Sequence, residues 1–147
     1  MNYDEVEILL VEDSIDDATL TIRALTKSGF TNKLFHVKDG AEALDFIYCK
    51  GLYAVRKGKE YPKMILLDLN MPKVTGMEVL EKIKSDQHLK SIPVVILTSS
   101  KEDPDVKKCY ALGANSYIVK PVDSDNFFSA IKEIGLYWMI LSEPPHQ

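Results

Sequence analysis

Short apolar runs alternate along this chain with amphipathic stretches, and the alternation predicts its elements. Val6 to Val11 is a near-continuous apolar run interrupted by Glu7, as expected of a strand buried on both faces of a parallel sheet. Runs of similar length follow at Lys33 to Val37, Met64 to Leu67, Val94 to Leu97 and Tyr117 to Val119, none long enough for a helix of its own. Between them apolar residues recur at helical spacing. Ala18, Ile22 and Leu25 fall at i, i+4 and i+7, with Gly29 placed to end that helix in a left-handed residue. Leu44, Ile47 and Tyr48 mark a second helix, Val79, Leu80 and Ile83 a third, and Val106, Tyr110 and Leu112 a fourth closed by Gly113. Phe127, Ile131, Ile134, Trp138 and Leu141 form one stripe over four turns of a fifth helix that runs on through Gly135.

Five strands alternating with five helices imply right-handed crossovers and an open parallel sheet covered on both faces. The predicted fold is α/β, a flavodoxin-like (βα)5 three-layer sandwich with strand order 2-1-3-4-5. In such sheets the ligand site lies at the carboxyl ends of the strands, near the reversal of strand order. That rule singles out particular residues. Glu12 and Asp13 follow the first strand, Asp68 ends the third, Thr98 the fourth and Lys120 the fifth.

Carboxylates gathered at one edge repel, by roughly 4 kcal/mol per pair at about 4 Å and an effective dielectric near 20, so something cationic belongs there. A hard divalent ion, Mg²⁺ or Mn²⁺, suits oxygen ligands, and Lys120 supplies a fixed positive charge. An Asp held beside both is a nucleophile suited to phosphorus, because the cations offset the charge of an incoming phosphoryl group. Asp68 is therefore the candidate phosphoacceptor. Each of these residues alone reads equally well as a helix cap or turn former. The case rests on their joint placement at successive strand ends.

Composition changes this picture little. At 147 residues, 46% hydrophobic and 27% charged, the chain is about one domain long and of ordinary globular mixture. A net charge of −4 gives no general attraction to nucleic acid. The longest aliphatic runs are far short of a membrane span, so the expectation is a soluble cytoplasmic protein with no nucleic-acid or membrane partner. Cys49 and Cys109 lack metal-binding spacing and are read as reduced, and His36, His88 and His146 are scattered.

Asp68-Leu69-Asn70-Met71-Pro72 followed by Gly76, and Ala111-Leu112-Gly113-Ala114 followed by Tyr117-Ile118-Val119-Lys120-Pro121, resemble the two signatures of response-regulator receiver domains. The spacing agrees, with Thr98 30 positions after Asp68 and Lys120 22 after Thr98, and the resemblance covers about residues 5–142. It implies a phosphoacceptor switch rather than an enzyme acting on other molecules, one that catalyses its own phosphorylation from a kinase phosphohistidine and its own dephosphorylation. By that resemblance Asp13, Asp68 and the Asn70 carbonyl ligate the metal and Glu12 acts through water. Lys120 holds a phosphoryl oxygen, Thr98 swings onto another, and Tyr117 turns inward behind it. Ser99 leaves the acyl phosphate accessible, while Asn70 and Ser100 influence how water attacks it. A cis Lys120–Pro121 bond is also implied, with helix four, strand five and helix five as the face read by partners.

Two features depart from a compact receiver. Residues 50–63 form a longer connection containing Lys50, Arg56, Lys57, Lys59 and Lys63 against Glu60, readable as a solvated loop or as a docking element for an acidic kinase surface. After Pro121 there is room for one helix and a short tail, too little for an output domain. This layout looks like the single-domain regulators paired with bacterial and cyanobacterial phytochrome histidine kinases, which makes such a kinase the expected partner. Phe128, Tyr137 and Met139 fall off the last helix's stripe, which suggests a homodimer through the strand 5–helix 5 region. Two rivals fit less well. A haloacid-dehalogenase-type enzyme resembles DxDxT at the Asp68 strand, where Asn70 and Pro72 stand instead, and Glu12-Asp13 would repel the phosphate of a flavin.

Overall fold

A computed structural model describes residues 6–27, 33–56, 61–71, 73–100 and 102–135. The strands are β1 (Ile8–Val11), β2 (Leu34–Val37), β3 (Met64–Asp68), β4 (Val94–Thr98) and β5 (Ser116–Val119). They alternate with α1 (Ile15–Lys27), α2 (Gly40–Tyr48), α3 (Gly76–Lys84), α4 (Pro104–Leu112) and α5 (Ser124–Ile134). All ladders are parallel, in the order β2-β1-β3-β4-β5. The predicted flavodoxin-like architecture is the observed one.

The period of two along each strand divides the core. Leu9, Val11, Ile65, Leu67, Val94 and Ile96 face α2, α3 and α4, meeting Phe46, Val79, Leu80, Ile83 and Cys109. Ile8, Leu10, Met64, Leu66, Val95, Leu97 and Ile118 face the other way, onto Leu25 of α1 and Phe127 and Ile131 of α5. The register pairs Val11 with Leu67, Asp68 with Leu97 and Thr98 with Val119, so the strand ends carrying polar residues lie side by side.

Several helix faces differ from the periodicity reading. In α1 the inward residues are Ala18, Thr21 and Leu25, while Ile22 is exposed. In α4 Cys109 takes the inward position and Tyr110 is exposed, because i+3 from Val106, not i+4, lies over the sheet. The α5 helix does not run on through Gly135: that residue, at φ 77°, caps it by donating to the carbonyls of Ile131 and Lys132. Gly29, Pro72 and residues 136–147, with Tyr137, Trp138, Met139 and Leu141, lie outside the described residues, as do Lys57, Lys59 and Glu60.

The connection after α2 is not a solvated loop in its first half. Gly51–Arg56 is a 3-10 helix, and with three residues per turn Tyr53 and Arg56 fall on one side and are buried. The Arg56 guanidinium carbon sits 3.9 Å from the Phe46 ring centre, and Phe46 stacks on Phe35 at 5.0 Å. The Tyr53 hydroxyl donates to Glu42. Leu52 and Val55 point outward instead, 87% and 75% exposed.

Candidate functional site

Three strand ends and one helix start converge at the carboxyl edge. The turn after β1 carries Glu12 and Asp13, and Glu12 is anchored at its backbone: its N–H donates to the Val37 carbonyl at 3.1 Å and its carbonyl receives His36 Nε2 at 2.7 Å. The Glu12 side chain is buried and also accepts from the Ser14 N–H at 3.2 Å. Asp68 ends β3 and is 3% exposed. Carboxylate oxygens of Glu12, Asp13 and Asp68 all lie within 4.8 Å of one another, with Asp13 at the solvent side.

Lys120 reaches this cluster from the end of β5. Its Nζ lies 2.8 Å from Glu12 Oε1, 3.1 Å from Asp68 Oδ1 and 3.2 Å from Asp17 Oδ2. The Lys120–Pro121 bond is cis, as expected. Glu12 thus contacts the ammonium directly. Asp17 was not legible as a site residue: it sits in the first turn of α1, its N–H accepted by Ser14 Oγ at 3.1 Å. The Ser14-x-x-Asp17 spacing of a capped helix start, directly after the acidic pair, is the signal that could have found it.

Charge explains the site's electrostatics. Burial and the neighbouring Glu12 carboxylate push the Asp68 pKa up to about 7, against the opposing pull of Lys120. For Lys120 burial alone would lower the pKa, but the close Glu12 carboxylate and the charge of Asp68 hold it above the ordinary lysine value. One ammonium facing Glu12, Asp13, Asp17 and Asp68 leaves the cluster short of positive charge. Clustered hard oxygens that outnumber their one ammonium are a donor set that suits Mg²⁺ or Mn²⁺.

The remaining sequence candidates sit around this cluster. Asn70 donates its N–H to Asp68 Oδ1 at 3.4 Å. Thr98 is buried, and its hydroxyl bonds the Ser100 backbone, donating to the carbonyl at 3.1 Å and accepting the N–H at 3.3 Å, rather than Asp68. Ser99 and Ser100 are exposed beside it. Tyr117 is half-buried and packs edge-on to Tyr110, ring centres 6.1 Å apart. Gly76 serves the loop after Asp68: a Cβ there would lie 2.3 Å from the Asp68 carbonyl oxygen, so no other residue lets α3 start so close to β3.

This fold and this convergence define a receiver-type phosphosignalling domain. Residues 8–132 match the family model described as response regulator receiver domain, and the chain belongs to that family. Among curated relatives, the probable methanogenesis regulatory protein FilR2 of Methanothrix harundinacea (strain 6Ac) is 40% identical over 94% of this chain and 86% of its own length. Response regulator Rcp1 of Synechocystis sp. is 39% identical over 90% of this chain and 88% of its own. Among solved structures, the bacteriophytochrome response regulator RtBRR is 49% identical, with a TM-score of 0.84 over 94% of this chain and 82% of that one. For the bacteriophytochrome response regulator AtBRR the values are 46% and 0.85, over 95% of this chain and 99% of that one. The protein is a two-component response regulator receiver domain whose homologues include phytochrome response regulators. No helix among the described residues is long and apolar enough to cross a membrane.

Proposed function

We propose that Asp68 accepts a phosphoryl group from the phosphohistidine of a sensor histidine kinase, with Mg²⁺ or Mn²⁺ as the required cation. The observation that carries this reading is the placement of a buried Asp68 carboxylate 3.1 Å from the Lys120 ammonium and within 4.8 Å of the carboxylates of Asp13 and Glu12. An Asp68 oxygen attacks phosphorus and an O–P bond forms as the P–N bond breaks. The electron pair goes to the departing imidazole, which leaves neutral with its proton on the other ring nitrogen. Lys120 orients and neutralises a phosphoryl oxygen. Asp13, Asp68 and the Asn70 carbonyl would hold the cation, with Glu12 beside them, and its chemistry there is to neutralise charge on the transferring group. A relative, Rcp1, has been solved in a Mn(2+)-bound form and another, the cyanobacterial phytochrome response regulator RcpA, in phosphorylated form, which supports the same reading here.

Phosphorylation adds about two negative charges and strong acceptors to this edge. Thr98 is the hydroxyl that exchanges its Ser100 bond for a phosphoryl oxygen, and Tyr117 the ring that follows, so α4, β5 and α5 form the signalling face. The kinase is a phytochrome, as the names of several relatives suggest. A second copy docks through β5 and α5, where an edge strand and a groove of about 350 Å³ lined by Tyr117, Val119, Asn126 and Glu133 meet.

Intact mass after incubation with acetyl phosphate and Mg²⁺ tests the assignment. A labile phosphoryl adduct is expected on the native chain and none on Asp68→Asn; equal adducts on both would refute it.

A further inference from the structure

The ammonium of Lys120 is ringed by three carboxylates, Glu12 at 2.8 Å, Asp68 at 3.1 Å and Asp17 at 3.2 Å, and its contact with Asp17 is a hydrogen bond. A phosphoryl oxygen brought to that ammonium competes with these three anionic neighbours for it. The three partners are not equivalent. The side chains of Glu12 and Asp68 are 1% and 4% exposed, so stripping either of its cation leaves a buried charge uncompensated. The Asp17 side chain is 40% exposed, makes the longest of the three contacts and can pass its charge to water, so it is the partner that leaves most easily. Its position is nonetheless fixed. The Ser14 hydroxyl holds the Asp17 N–H at 3.1 Å at the start of α1, on a chain segment 103 residues away from Lys120.

We propose that Asp17 is a positioning residue for Lys120: it occupies the place of a phosphoryl oxygen in the unphosphorylated site and is displaced when the phosphoryl group arrives. It therefore competes with phosphorylation and favours its reversal. While Asp17 is bound, the ammonium is aimed into the cleft between β1 and β3. When it is displaced, α1 loses its tie to the end of β5. This inference rests on the phosphoacceptor reading of Asp68.

The test compares Asp17→Asn and Asp17→Ala with the native chain at saturating Mg²⁺, using Asp16→Asn as a control that removes the same charge one residue away. In the acetyl phosphate reaction an Asp68 oxygen forms a bond to phosphorus while acetate departs with the electron pair of the broken P–O bond. Both Asp17 variants are expected to charge faster and to hold the adduct longer, each by about two- to fivefold, the range of one exposed ion pair. Beryllofluoride, a phosphoryl mimic that forms no adduct to hydrolyse, is expected to bind more tightly to them by a similar factor in calorimetric titration. Asp17→Glu, which keeps the charge, should return both readouts toward native. Asp17 variants that match Asp16→Asn in both readouts, or that charge more slowly while binding beryllofluoride no better, overturn the role of Asp17 and leave Asp68 as acceptor. A native chain that takes no adduct, or an Asp68→Asn variant that takes an equal one, sinks both readings.

Discussion

Asp68 is a buried carboxylate beside another carboxylate, a placement that costs stability once the group is ionised. Its folded-state pKa of about 7 lies above the ordinary 3.8, because burial and the Glu12 charge outweigh Lys120. The folded state therefore holds this proton more tightly than the unfolded chain does. Between those two values stability falls as pH rises, and above about pH 7 the loss is complete. Asparagine at this position imitates the protonated acid. In metal-free buffer Asp68→Asn is thus expected to equal the native chain near pH 4 and to exceed it at pH 8 by about 2 kcal/mol, after allowing for screening by water at the rim. Urea unfolding with a chelator present at the two pH values reads this directly. A native chain that is the more stable at pH 8 would mean that Lys120 already neutralises the site. The same residue explains why the sequence pointed to a cation: carboxylates at adjacent strand ends are unfavourable unless something offsets them.

At the scale of elements, strong periodicity decided which features of the fold were readable from the chain. The strands were legible because each is a short apolar run, and Glu12, Asp13, Asp68, Thr98 and Lys120 were legible because parallel register brings strand ends together. Helix faces were less so. Ile22 and Tyr110 looked inward by spacing, yet Thr21 and Cys109 hold those positions, since an i+3 and an i+4 neighbour differ by one residue and tertiary packing chooses between them. Gly51–Arg56 inverts the expected pattern, with an arginine inside and Leu52 and Val55 outside, so nothing in hydrophobic patterning marks it as ordered. Its order comes from Arg56 stacking on Phe46 and donating to Cys49 Sγ at 3.5 Å, together with the Tyr53–Glu42 bond. Arg56→Ala is accordingly expected to destabilise the domain by about 1–3 kcal/mol, through lost packing as much as lost charge. Arg56→Lys should recover only part of this, because an ammonium does not stack as a planar guanidinium does. Lys50→Ala, at an exposed position, is the control expected to change stability by less than about 0.5 kcal/mol. Denaturant midpoints for the three variants decide whether the 3-10 helix belongs to the folded core or merely lies on it.

For the whole molecule, the sheet gathers its candidate site at one edge and ends laterally in β5, an edge strand whose half-buried Tyr117 pairs with Ile96 and packs on Tyr110 of α4. In the proposed switch Thr98 is the link: its hydroxyl is bound to Ser100 and its carbonyl accepts the Lys120 backbone N–H at 2.7 Å, so a shift of its side chain would move the loop into α4 while the end of β5 stays attached. An effector can displace such an equilibrium only by its differential affinity for the two arrangements. On the proposed reading a phosphoryl group has that difference, because it would offer Thr98 and Lys120 the acceptors that Ser100 and Asp17 supply in the unphosphorylated state. If the β5–α5 face is where two copies meet, the equilibrium between monomer and dimer must then depend on the occupancy of Asp68. Sedimentation velocity across a concentration series, with and without beryllofluoride and Mg²⁺, is expected to show a dimer at high concentration and a shift toward it with the analogue. Monomer alone at high concentration in both conditions would remove the dimer. A dimer insensitive to the analogue would mean that Tyr117 and Thr98 do not carry the state of the site to that face.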